Sequence, residues 1–120
     1  MGNSRKKGSF GESIAVKYLK SKNYTILNTN FYTPYGEIDI VAKDCDFIVF
    51  IEVKLRRTKS YGDVLDQITF QKKERIIKSA HYFLAQENQS IVDCRFDFIA
   101  IFQESDTYKI THIENAFEIS

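Results

Sequence analysis

Apolar residues recur at helical spacing near the start of the chain. Phe10, Ile14, Ala15, Tyr18 and Leu19 would share one face of a helix over about residues 9–22. Ser9, with Glu12 three residues later, has the S-x-x-E form of a capping box. The period then changes. A β-prone run from Tyr24 to Leu27 breaks at Asn28, Asn30 and Pro34. Glu37 to Val41 alternates, which puts Ile38 and Ile40 on one face and Glu37, Asp39 and Val41 on the other. Phe47 to Leu55 alternates too: Phe47, Val49, Ile51, Val53 and Leu55 oppose Ile48, Phe50, Glu52 and Lys54. Lys43–Asp46 between these runs reads as a tight hairpin turn. A second helix is expected over about residues 69–86, with Phe70, Ile76, Ile77, Ala80, Phe83 and Leu84 as its apolar stripe. Cys94–Phe102 and Tyr108–Ile113 read as closing strands. The order α, β, β, β, α, β, β predicts an α/β fold, a mixed sheet with helices packed against it.

Two charges interrupt this pattern where they are costly. Glu52 and Lys54 project from one face of a strand that is otherwise apolar, and burial there is expensive unless the groups are paired or hold a ligand. Hairpin geometry brings Asp39 to them. A two-residue loop at Cys45–Asp46 pairs residue 39 with 52; a loop at Asp44–Cys45 pairs 39 with 50 and leaves Glu52 diagonal. Either register puts the two carboxylates roughly 5–8 Å apart at Cβ. One hard divalent cation can bridge carboxylates at that spacing, with waters or phosphate oxygens completing its shell. Two carboxylates, a cation and a lysine are what phosphodiester hydrolysis requires.

Composition adds bounds. The 120 residues make one domain, with residues 1–7 expected as a flexible basic N-terminus. A net charge of +1 makes no overall case for a nucleic-acid partner. The charge is segregated, however: Arg5–Lys6–Lys7, then Arg56, Arg57 and Lys59, then Lys72, Lys73, Arg75 and Lys78, with an acidic balance beyond residue 102. Arg56, Arg57, Lys72 and Arg75 are the candidate contacts to a phosphate backbone. Cys45 and Cys94 form no CxxC, and with two histidines they argue against structural zinc and for plain thiols in a reducing compartment. His81 and His112 read as structural. No apolar run follows the basic start, and Phe47–Ile51 is far too short to cross a bilayer. A soluble, cytoplasmic protein with no membrane partner is expected.

The segment Gly36–Glu37–Ile38–Asp39, with Glu52–Val53–Lys54 thirteen residues after Asp39, resembles the D…ExK signature of restriction-endonuclease-like nucleases. More closely, the chain resembles the YraN family, itself similar to archaeal Holliday junction resolvases. The likeness runs from Gly11–Glu12 through Ala15, Tyr18–Leu19, Asn30, Gly62, Lys72 and Arg95–Phe96–Asp97 to Asn115–Ala116–Phe117. It implies the restriction-endonuclease-like αβββαβ core. It also implies a Mg2+ (or Mn2+) site made by Asp39, Glu52 and the Val53 backbone carbonyl. Lys54 is then the catalytic lysine, Glu12 an auxiliary carboxylate, and Gln67 stands where resolvases carry a polar active-site residue. The expected function is a metal-dependent DNA endonuclease; selectivity for branched substrates would go with a homodimer and paired sites. The alternative is a nucleic-acid-binding module that retains the fold without turnover. A third expectation, an interaction domain whose charged cluster is purely structural, needs no chemistry.

Overall fold

The computed structural model describes residues 2–56, 68–89 and 93–117, with side chains from Phe10 onward. Helix α1 spans Gly2–Ser21 and is followed by the strands β1 (Thr25–Thr33), β2 (Gly36–Asp44) and β3 (Phe47–Arg56). Helix α2 (Phe70–Gln86) then leads to β4 (Cys94–Glu104) and β5 (Thr107–Ile113). One five-stranded sheet runs in the order β1-β2-β3-β4-β5. Only β3 and β4 pair in parallel; the remaining neighbours are antiparallel. A parallel neighbour requires a crossover, and α2 lies within that connection. This is the expected mixed α/β sheet flanked by helices, in an order that contains an αβββαβ core.

The two helices cover opposite faces. Ala15 and Leu19 of α1 pack with Ile40, Ala42, Val49, Ile51, Ile99 and Ile101. Ile76, Ala80, Phe83 and Leu84 of α2 pack with Ile38, Val41, Phe50, Phe96, Phe98 and Phe102. The alternation expected for β3 is therefore observed, with Val49, Ile51, Val53 and Leu55 toward α1 and Ile48 and Phe50 toward α2. A strand covered on both faces has to be apolar on both.

Several expectations need correction. Helix α1 begins at Gly2, not near residue 9. The Arg5–Lys6–Lys7 run favours helix. Ser9 lies inside the helix, so it is no N-cap and Glu12 closes no capping box. Strand β1 does not break at Asn28 or Asn30. A register shift between Ile26 and Asn28 absorbs one residue as a bulge, and Asn30 adopts φ 53°, a left-handed conformation that asparagine tolerates. Phe10 is exposed and meets Tyr108 edge-on, outside the α1 stripe proper. Phe70 is also exposed, because the Cα–Cβ bonds of a helix tilt toward its N-terminus and carry the first side chain off the sheet. At that end Thr69 caps α2, its side chain accepting from the Lys72 N–H at 3.1 Å. Among the described residues, no helix is long and apolar enough to cross a membrane.

Candidate functional site

The β2–β3 hairpin turns through Cys45–Asp46, since Asp44 pairs with Phe47. Cys45 takes the left-handed conformation at φ 55°. Continued from this turn, the register would set residue 39 opposite 52, the first of the two alternatives left open above. The ladder stops one pair short, at Ile40–Ile51. There the Asp39 carboxylate takes over as acceptor, receiving the Val53 N–H at 2.8 Å.

This substitution breaks the alternation of β2. Ile38 packs toward α2 with Val41, whereas Ile40 and Ala42 pack toward α1. The expectation that Ile38 and Ile40 share a face is therefore wrong, because a regular period cannot pass a residue whose side chain occupies a ladder position. Asp39 and Glu52 nevertheless line the same two cavities. One, of about 210 Å³, lies toward α2 beside Gly36, Lys72, Arg75 and Ser79. The other, of about 280 Å³, lies toward α1 beside Gly11, Glu12, Val53 and Lys54.

The electrostatics of the cleft are unbalanced. Burial is the main force pushing the Asp39 carboxyl up to about 8; the charges of Glu52, Glu12 and Glu37 add to it, and the Val53 N–H offsets only part. Burial also raises Glu12, with Glu37 and Glu52 contributing, while a hydrogen bond with the Asn30 side chain pulls the other way. Lys54 is held below the usual lysine range by burial first and by the neighbouring Lys72 ammonium second. Glu52 pairs with Lys72, Nζ to Oε2, at 2.7 Å. Lysine 72, expected only as a phosphate contact, thus enters the site as the ion-pair partner of Glu52.

The donors suit a hard divalent cation. All are oxygens, and the buried Asp39 carboxylate lies among other acids with a single N–H to stabilise it. Among the described residues, no three His, Cys, Asp or Glu side chains form a ready-made ligand group. That is compatible with magnesium, which takes one or two protein carboxylates and keeps several waters.

A family model described as "Uncharacterised protein family UPF0102" matches residues 11–101. The chain belongs to this family. A UPF0102 protein of Clostridium acetobutylicum is 41% identical over 118 residues, 97% of each chain. One of Clostridium botulinum is 45% identical over 115 residues, covering 93% of this chain and 94% of its own. One of Clostridioides difficile is 41% identical over 115 residues, 96% and 99% of the two. The UPF0102 match contains every cleft residue from Gly11 to Ser79, together with Arg95 and Asp97, and stops before His112.

Glu12, Asp39, Glu52, Lys54 and Val53 thus line one cleft of this UPF0102 protein, with Lys72 and Arg75 on its α2 wall. Arg56 ends β3 two residues beyond Lys54. Arg57, Gly62 and Gln67 lie outside the described residues. Asn30, Gly36 and Ser79 were not anticipated as cleft residues. Thr33 Oγ1 accepts the Tyr35 and Gly36 N–H groups and is 2.8 Å from Ser79 Oγ, which ties the β1–β2 turn to α2. Asn30 and Gly36 were marked only by the resemblance and by turn chemistry around Pro34–Gly36, and Ser79 by no signal.

Asp39 makes a pH prediction with a definite sign. Its folded value, about 8, exceeds the ordinary aspartate value, so the folded state retains a proton that the unfolded chain releases. Stability therefore falls as pH rises between those values. In chelator, Asp39→Asn should be more stable than wild type at pH 8, and the gap should close toward pH 4. Denaturant midpoints that differ equally at both pH values would refute this.

Proposed function

We propose that this UPF0102 protein is a metal-dependent DNA endonuclease. The observation that carries the reading is Asp39: a buried carboxylate, crowded by Glu52 and Glu12 at the point where the β2–β3 ladder opens. Such a group calls for a cation.

Asp39 and Glu52 would hold Mg2+ or Mn2+. The Val53 carbonyl is a further donor, because N–H and C=O of one strand residue point the same way and its N–H already faces Asp39. The bound cation supplies charge neutralisation on a phosphate and acidifies water for in-line attack. Lys54, half-buried beside the carboxylates, orients that water and stabilises charge developing on the phosphoryl oxygens. Glu12 adds a third carboxylate, from α1, steadied by Asn30. Lys72 and Arg75 offer cations to the neighbouring strand, and Arg56 extends that surface past the end of β3. Cutting both strands of a branched substrate calls for two such sites, which a homodimer would supply.

The test is cleavage of a panel of branched and linear DNAs with magnesium or manganese, with Asp39→Ala as control. Metal-dependent cutting lost in Asp39→Ala supports the reading; no cutting of any substrate counts against it. The Lys72–Glu52 ion pair favours a second reading, a binding module without turnover, because it already occupies one of the two carboxylates. DNA binding without hydrolysis at saturating metal would select it.

Where DNA binds, its affinity should fall steeply with salt, since near-neutral net charge leaves local cations as the attraction. Each phosphate contact removed should reduce the log–log slope by about 0.9 for duplex DNA. Lys72→Ala combined with Arg75→Ala should flatten the slope measurably. An unchanged slope would take α2 out of the interface.

A further inference from the structure

Glu52 is held by a neighbouring ammonium. Lys72 Nζ lies 2.7 Å from its Oε2, and both side chains are sheltered, at 21% and 15% exposure. The backbone that carries this side chain is fixed. Lys72 stands in the first turn of α2, and its own N–H is bound by the Thr69 cap. Asp39, by contrast, receives the Val53 N–H and has no ion-pair partner at contact distance among the described residues, Lys54 acting on it only from farther off. Cations are thus concentrated on the Glu52 side of the cleft, where Lys54 also lies against Lys72.

We propose that Lys72 is an exchangeable counter-ion, holding Glu52 until a divalent cation takes that carboxylate and then turning to a phosphate of the nucleic-acid strand. This rests on the metal-dependent reading of the cleft. Two positive centres cannot both hold Oε2 at contact distance in a sheltered site, because their mutual repulsion grows as the local dielectric falls. The four-carbon stem gives the displaced ammonium room to swing. It swings into the cavity it already lines, toward Arg75, which has no carboxylate partner among the described residues. A phosphate set between the two cations would be stabilised there. Metal and nucleic acid then assist each other through one side chain, and by linkage the assistance is reciprocal.

The test uses the full chain and calcium, which reads binding without requiring turnover. Calcium affinity is measured by calorimetry for wild type, Lys72→Met, Lys72→Arg and Asp39→Asn. Affinity for a labelled duplex is measured with and without calcium. Lys72→Met keeps the aliphatic stem and loses the charge. It should bind calcium up to about fivefold tighter than wild type, the factor that corresponds to roughly 1 kcal/mol, the upper end for a partly exposed ion pair. Lys72→Arg should stay near wild type. Calcium should raise duplex affinity by a larger factor in wild type than in Lys72→Met. Equal or weaker calcium affinity in Lys72→Met, with wild type binding normally, overturns the exchange alone. Equal calcium enhancement of duplex binding in both proteins overturns the handover to phosphate. Calcium binding that is absent in wild type, or unaffected by Asp39→Asn, overturns the metal reading and the exchange with it. Should circular dichroism show Lys72→Met unfolded, Lys72→Gln decides by the same titrations.

Discussion

Lys54→Ala should lose roughly two to three orders of magnitude in cleavage rate while still binding metal, whereas Glu52→Gln should lose both. The separation follows from where the charges sit. Glu52 supplies a ligand oxygen, and replacing it by an amide of the same size removes the negative charge that attracts the ion. It also leaves Lys72 without its carboxylate. Lys54 contributes a cation beside the two acids, so its removal lets divalent binding persist or tighten. What is lost is electrostatic stabilisation of the transition state, whose removal typically costs a hundredfold to a thousandfold. Because burial and Lys72 hold Lys54 below the usual lysine range, its charge is lost at lower pH than an ordinary lysine's. The alkaline limb of the wild-type rate profile should move accordingly and be missing from Lys54→Ala. The decisive comparison is single-turnover cleavage at saturating metal. A Lys54→Ala protein that cuts as fast as wild type would make the lysine structural and leave the signature without its mechanism.

The largest stability effect is expected away from the cleft, at Asp97. Its carboxylate is fully buried and takes the Arg95 guanidinium in two bonds, at 2.9 and 3.1 Å. His112 Nε2 lies 2.7 Å away, and the Asn115 N–H donates at 3.0 Å. With its proton on Nε2, His112 donates to Asp97 and accepts the Tyr18 hydroxyl of α1 at Nδ1. Arg95 also reaches Asp44 and the Tyr24 hydroxyl. Asp97→Asn removes the one fully buried carboxylate of the network and leaves Arg95 only the more exposed Asp44 and Glu114 as counter-charges, a loss of about 3 kcal/mol. In a domain whose whole stability is roughly 5–15 kcal/mol, that should lower the melting temperature by more than about 10 °C. Burial alone would raise the Asp97 carboxyl, but the bonds from His112 and Arg95 win and hold it below its ordinary value. Its contribution is therefore complete above the unfolded aspartate value near 3.9 and is lost as pH falls through the lower folded value. The gap between wild type and Asp97→Asn should narrow in that acid range. A variant within about 1 kcal/mol of wild type at pH 7 would mean the network is replaceable.

These two centres differ in how much of them the chain discloses. The cleft was largely readable because its parts are close in sequence: an alternating strand, a short turn and a second alternating strand. Glu52 and Lys54 stood out as charges in an apolar strand. The way Asp39 reaches them did not, since its carboxylate takes the place of a backbone acceptor and reverses the period of β2, which no periodicity reports. The start of α1 was missed because Ser9 and Glu12 imitate a cap. The length of β1 was missed because Asn28 and Asn30 are usually breakers, and here a bulge and a left-handed residue absorb them. The Asp97 network lies beyond local reading altogether. Tyr18, Asp44, Arg95 and His112 meet only once β4 lies between β3 and β5.

The irregular course of β1 also matters for the outer rim of the sheet. Among the described residues, β1 and β5 are the strands with one side unpaired. Such a side is a row of donors and acceptors onto which another extended chain can zip. On β1 the extra residue at Leu27 and the left-handed Asn30 interrupt that row twice within nine residues. An intruding strand would find no continuous register there. On β5 the pairing with β4 runs without a shift from Phe98–Ile113 to Glu104–Thr107. The two rims are therefore unequal, and the cleft side of the sheet borders the one that resists templated growth.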